Sequence, residues 1–202
     1  MTNNKQLIVD WRPFNPSKNM ITEGTGGEPM KVKGVLQRAE AKNQNGRVYP
    51  KNVLQEVAKR YKKDRVKENR ALGELDHPDS EMVNLQNASH KINSMQWNGN
   101  DLVGEVQVLT TPSGNILQEL FRNNVNVGIS SRGLGSVKES ADGTLIVGDD
   151  FELIAFDFVS NPSTHGAFME PERITENSDP ELIKEAKQAQ ERQNVWNPVE
   201  NR

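Results

Sequence analysis

The turn Asn98-Gly99-Asn100 constrains this chain more than any other feature. Ile92, Met95 and Trp97 precede it, and Leu102, Val103, Val106, Val108 and Leu109 follow. Asn-Gly accepts the positive φ of a tight reversal, so the two apolar runs are expected to pair as an antiparallel hairpin over residues 91–109. Other short apolar runs point the same way. Val32, Val35 and Leu36 read as a first strand, and further strands are expected over 125–132, 144–147 and 151–160, the last closed by Asn161-Pro162. Two segments have helical spacing instead. One runs over 51–68 after Pro50, through Val53, Leu54, Val57, Ala58 and Tyr61. The other runs over 113–124 from Ser113, through Ile116, Leu117, Leu120 and Phe121. The residues alone therefore predict an α+β domain.

Composition locates that domain. Hydrophobic residues are 34% of 202, a low share that fits a normal core flanked by polar ends. Residues 1–29 are polar and turn-rich, interrupted by Leu7-Ile8-Val9. Residues 30–172 form the expected domain, and 173–202 are a polar, helix-prone tail. The absence of cysteine excludes a disulfide scaffold, thiol catalysis and Cys-ligated metal sites. Three histidines, His77, His90 and His165, leave little for a histidine metal centre. A net charge of −3 argues against a phosphate-backbone binder. No apolar run is long enough to span a membrane, and the N-terminus lacks the order of a secretion signal. The expectation is a soluble intracellular protein without cofactor.

Three segments could carry chemistry. In Gly73-Glu74-Leu75-Asp76-His77-Pro78, the proline biases His77 toward extended backbone, so its ring projects from a stiff segment. It reads either as a general base or as a surface histidine. In Val125-Asn126-Val127-Gly128-Ile129-Ser130-Ser131-Arg132-Gly133-Leu134-Gly135-Ser136, strand alternation puts Val125, Val127, Ile129 and Ser131 on the core side. Ser130 then faces a cleft, with Gly128 leaving room beside it. Gly133 and Gly135 would permit a turn that aims N–H groups at an oxyanion, or simply a glycine-rich turn satisfied by serines. Arg132 stands where a G-x-S-x-G elbow needs glycine, and neither a dinucleotide nor a P-loop signature is present. Finally, Asp157 lies within Leu153-Ile154-Ala155-Phe156-Asp157-Phe158-Val159. A carboxylate there needs a partner, either a histidine or backbone N–H groups.

Together the first two segments resemble the prohead core proteases of T4-like tailed bacteriophages. Asn45-Gly46-Arg47-Val48-Tyr49-Pro50 is similar to that family's N-x-R-x-Y-P segment. The resemblance covers about residues 30–176. It implies a herpesvirus-protease-like β-barrel core surrounded by helices. It implies a serine endopeptidase with Ser130 as nucleophile, His77 as general base and Asp157 as acidic third member. Ser131, Arg132 and Gly133 would supply or shape the oxyanion and substrate site. His90 and His165 are reserve third members, because the herpesvirus enzymes use a second histidine; Asp76 is a nearer acid. No metal or organic cofactor is implied. The implied substrates are phage scaffold or core proteins and the major capsid protein, cut after glutamate in (Ile/Leu)-x-Glu. The implied location is the prohead interior in the host bacterial cytoplasm, with homo-oligomers allowed and no nucleic-acid or membrane partner. Ile21-Thr22-Glu23 and Ile174-Thr175-Glu176 fit the same pattern where composition changes, so self-cleavage is expected after Glu23 and Glu176. The alternative is a non-enzymatic scaffold component of the prohead.

Overall fold

The computed structural model of the chain describes residues 5–10, 29–160 and 169–171. In chain order its strands are β1 (Gln6–Val9), β2 (Lys31–Arg38), β3 (Arg47–Val48), β4 (Leu72–Glu74), β5 (Ala88–Asn98) and β6 (Asp101–Val108), followed by β7 (Gly128–Gly135), β8 (Val137–Glu139), β9 (Leu145–Val147), β10 (Glu152–Val159) and β11 (Met169–Pro171). The helices are α1 (Lys51–Tyr61) and α2 (Pro112–Arg122).

The expected hairpin forms from β5 and β6, with Asn98 opposite Asp101 and Gly99 at a φ of 59°. It lies inside a sheet ordered β11-β2-β6-β5-β4. A second sheet is ordered β1-β7-β10 and a third β3-β9-β8. Past its end, β4 continues alongside β10 through a parallel bridge between Leu75 and Phe158. The fold is strand-rich α+β with few helices; among the described residues the sheets do not close into a barrel.

Local boundaries differ from the sequence reading where hydrogen bonding overrides pattern. The first helix ends at Tyr61 and runs on as a π-helical turn, Lys62–Val66, instead of continuing to 68. The second is capped by Thr111, whose Oγ1 accepts from the Gly114 amide at 3.1 Å; Pro112 occupies the first turn, where no amide proton is needed. Ser113 is therefore not the cap. The strand expected at 125 begins at Gly128, because Asn124 turns at a φ of 55° and the Val125 amide returns to the Leu120 carbonyl at 2.8 Å. Leu7-Ile8-Val9, read as an interruption in a polar segment, belongs to β1 and pairs with β7, and Ile8 is fully buried.

Two apolar clusters hold these layers. The larger packs Val32, Leu36, Ile92, Val106, Leu117 and Phe121 against Ile129, Phe156 and Phe158. The smaller gathers Ile8, Tyr49, Leu54, Val57, Val147 and Phe151. Strand β7 is buried along nearly its whole length, and β10 from Ala155 to Val159.

Candidate active site

In the β7–β10 ladder Asp157 lies directly opposite Ser130. Opposed residues of an antiparallel pair project from the same face with Cβ atoms about 5 Å apart. Arg132, two residues along β7, shares that face. Ser131 takes the other, where its hydroxyl accepts from Gln37 Nε2 at 2.8 Å. Ser130, expected at a cleft, is fully buried, as is Asp157. Val125, expected on the core side, precedes β7 and is exposed, because the alternating strand begins only at Gly128.

Asp157 is held at both oxygens. Oδ2 meets His77 Nδ1 at 2.9 Å and accepts from Arg132 Nε at 2.7 Å. Oδ1 accepts from the Glu74 amide at 3.0 Å and from Arg132 Nη2 at 3.3 Å. Burial by itself pushes this carboxyl up, but the hydrogen bonds from His77 and Arg132, the Arg132 charge and the Glu74 amide outweigh it. The carboxyl is held below its ordinary value, and Asp157 stays ionised.

Backbone geometry delivers His77. Strand β4 lies so close to β10 that a Cβ on Gly73 would sit 2.0 Å from the Phe156 carbonyl oxygen and 2.4 Å from His90 Nε2, so only glycine fits. The Asp76 amide then donates to the Phe158 carbonyl at 2.7 Å, and Asp76 itself turns at a φ of 65°. That turn swings His77 back onto Asp157. The imidazole is 11% exposed. With Nδ1 committed to Asp157, Nε2 is buried without a hydrogen-bond partner among the described residues.

The remaining expected site residues have other surroundings. Gly133 and Gly135 do not form a turn: both lie within β7, opposite Ile8 and Gln6. A Cβ on Gly133 would strike the Glu152 carbonyl and the Phe151 ring, both 2.5 Å away. Close packing of Phe151 therefore explains that glycine. The fully buried Arg132 guanidinium is spent on Asp157, on Glu74 Oε1 at 3.1 Å, and on the carbonyls of Ser80 and Met82 at 2.5 and 3.3 Å. His90 is fully buried away from Asp157's oxygens, its Nδ1 with Ser89 Oγ at 2.8 Å and its Nε2 with the Phe156 carbonyl at 2.9 Å. Asp76 is exposed and uses its backbone, not its carboxylate, at this site. His165, Glu23 and Glu176 lie outside the described residues. Glu74 is the residue that sequence reasoning missed. No group of three or more histidine, aspartate or glutamate residues among those described could hold a metal ion.

Comparison with known proteins gives three agreeing matches. A family model described as prohead core protein serine protease matches residues 2–179. The prohead core protein protease of Enterobacteria phage T4 is 37% identical over 153 residues, 74% of this chain and 72% of that one. The solved structure of the bacteriophage T4 capsid assembly protease superposes with a TM-score of 0.67 at 30% identity. That match covers 78% of this chain and 98% of the other.

Proposed function

This chain belongs to the prohead core protein serine protease family, and from that premise we propose that it is a serine endopeptidase of prohead maturation, with Ser130 as nucleophile, His77 as base and Asp157 as the orienting acid. One observation carries the reading. Asp157 takes His77 Nδ1 at 2.9 Å while the strand register sets Ser130 directly opposite Asp157. Such a carboxylate fixes the imidazole tautomer and supports the cation that forms on it.

The chemistry is acyl transfer. His77 Nε2 accepts the Ser130 hydroxyl proton as Oγ bonds to the substrate carbonyl carbon. The tetrahedral species collapses as the carbon–nitrogen bond breaks, and Nε2 returns the proton to the leaving amine. Water then repeats the sequence: His77 takes its proton, the hydroxide oxygen bonds to the acyl carbon, and Ser130 leaves with the proton restored. Arg132 acts in this scheme from behind Asp157, since its N–H groups are already engaged with buried acceptors. Ser131 and Gly133 support the strand that presents Ser130.

The substrates in this reading are the scaffold, core and capsid proteins of the prohead, met inside the shell. They are cut after glutamate in (Ile/Leu)-x-Glu segments. Glu23 and Glu176 are the proposed self-cleavage points; in sequence the first lies between β1 and β2 and the second follows β11. The helices and sheets flanking β7 and β10 are read as a distant form of the herpesvirus-protease fold.

The test is fluorophosphonate labelling together with intact mass after incubation at high concentration. Wild type labels at Ser130 and yields new termini at Gly24 and Asn177. Ser130→Ala does neither, with cleavage down by about 10⁴–10⁶. Ser131→Ala keeps activity. A dead Ser131→Ala beside an active Ser130→Ala would refute the assignment, and absence of labelling with an intact chain would favour a structural role in the prohead.

A further inference from the structure

Behind the His77–Asp157 pair stands a second buried carboxylate. Glu74 is 1% exposed, and its Oε1 accepts from Arg132 Nη2 at 3.1 Å and from the Asn84 amide at 3.0 Å. Its own amide donates to Asp157 Oδ1 at 3.0 Å. Its other oxygen, Oε2, is buried with no hydrogen-bond partner among the described residues. One residue thus touches the orienting acid through its backbone and that acid's counter-ion through its side chain.

Charge balance gives this arrangement its meaning. Arg132 alone beside Asp157 would cancel the carboxylate, and an imidazolium on His77 would form next to a neutral pair. Glu74 takes up the other side of the guanidinium. Asp157, Glu74 and Arg132 then carry one net negative charge while His77 is neutral, and none once His77 is protonated. A buried cluster is least costly when its charges cancel.

We propose that Glu74 is a positioning residue of the catalytic site, whose carboxylate offsets the Arg132 charge so that the buried cluster becomes neutral only when His77 holds the Ser130 proton. The inference rests on the reading of His77 as the general base. The other titratable groups around the cluster do not supply this balance. Tyr61, from α1, has its hydroxyl pushed up by burial and by the nearby Asp157 charge, so it remains neutral. His90, from β5, is neutral with both ring nitrogens engaged. Asp76, Asp79 and Glu81, on the segment that carries His77, are exposed, where water screens them.

The test uses the full chain with Ser130→Ala as background, so that the protein stays intact, and follows the His77 ring by NMR titration. Glu74 lies three polar contacts from His77, roughly 8 Å, so at an effective dielectric of about 20–40 its removal moves the titration by about one pH unit. Glu74→Gln is therefore expected to titrate about one unit lower than the background. Glu74→Asp, which keeps the charge, stays close to it. The pair Glu74→Gln/Arg132→Met has one net negative charge again and titrates at or above the background. With Ser130 present, the acidic limb of the kcat/KM profile moves the same way in Glu74→Gln, and kcat falls about tenfold with KM little changed. An unmoved titration in Glu74→Gln, or a lowered one in the double variant, overturns the proposal. If Glu74→Gln does not fold, Arg132→Met with and without Glu74→Gln decides: the double variant is expected to titrate below Arg132→Met alone, and equal values overturn the proposal. Failure of the parent reading looks different: Ser130→Ala would still cleave, whatever the titration does.

Discussion

Acid should weaken this fold through His90, and the amount can be worked out from its surroundings. The ring is fully buried, edge-on to Phe158 with centroids 4.5 Å apart, and lies against Gly73. Nε2 donates to the Phe156 carbonyl while Nδ1 accepts from the Ser89 hydroxyl, a neutral tautomer with both nitrogens satisfied. Burial pushes its pKa from 6.5 down to about 4, against the opposing pull of Asp157 and the Phe156 carbonyl. The folded-state value is the lower one, so the unfolded chain binds this proton first as pH falls. Above 6.5 both states are neutral and nothing is lost. Between 6.5 and about 4 stability declines, and below about 4 the loss is complete. At about 1.4 kcal/mol per pH unit, the gap is worth about 3 kcal/mol, a large share of a typical folding free energy.

Urea unfolding of Ser130→Ala at pH 7.0, 5.5 and 4.0, beside the same protein carrying His90→Gln, measures it. Glutamine keeps a donor for the Phe156 carbonyl but has no proton to gain. The expected outcome is a loss between pH 7 and 4 larger by about 3 kcal/mol with histidine than with glutamine. Asp157 contributes separately. Its folded value is depressed, so its stabilisation is present above the ordinary aspartate value of 3.8 and is lost as pH falls below that. Parallel stability curves for the two proteins over pH 7–4 would refute the reasoning about His90.

Two further perturbations test the frame. Asp157→Asn removes the charge that orients His77 but leaves a side chain able to accept from Arg132; folded protein with turnover reduced by about 10⁴ is expected, and near-normal turnover would exclude the role. Asp10→Ala strips a fully buried carboxylate from Arg47 Nη1 at 2.6 Å, Asn45 Nδ2 at 3.0 Å and the Tyr49 hydroxyl. Breaking such a pair costs about 3 kcal/mol or more, read as a lowered urea midpoint, and a change under about 1 kcal/mol would show that the Asp10 network does not hold β1.

Much of this arrangement was legible because the decisive signals are local. Asn98-Gly99 fixes its hairpin by its own backbone preference. Parity along one strand separates Ser130 from Ser131 without knowledge of the neighbours. An aspartate inside a seven-residue apolar run needs a partner wherever the strand lies. What sequence could not give are identities set by distant pairing. Arg132 reads as an oxyanion element by resemblance, yet its partners Glu74 and Asp157 lie 58 and 25 residues away. Glu74 looks like an ordinary solvated acid beside Asp76, and only the pairing of β4 with β5 and the Leu75–Phe158 bridge to β10 bury Glu74 while Asp76 stays exposed. Gly133 and Gly135 suggest a turn because glycine permits one, but the same absence of Cβ also admits Phe151.

The Asn45-Gly46-Arg47-Val48-Tyr49-Pro50 segment marks the line between a legible motif and an illegible role. Arg47 and Tyr49 are spaced by two, which on extended backbone sets them on one face, and the turn at Gly46, at a φ of 74°, brings Asn45 alongside them. The spacing of Arg47 and Tyr49 was a usable signal for a shared partner, though nothing nearby in sequence names it. The partner is Asp10, just past β1. Arg47 also donates to the Val9 carbonyl at 2.7 Å. These contacts hold β1 against β7, where Val9 pairs with Arg132 and Ile8 with Gly133. The segment farthest from Ser130 in sequence thus anchors one side of the Ser130 strand, while β10 supports the other and the Gly73–Pro78 segment brings His77 onto Asp157. Three motifs that look independent along the chain act on a single strand, so loosening Asp10 should reach Arg132 through Val9, and Asp157 through Arg132.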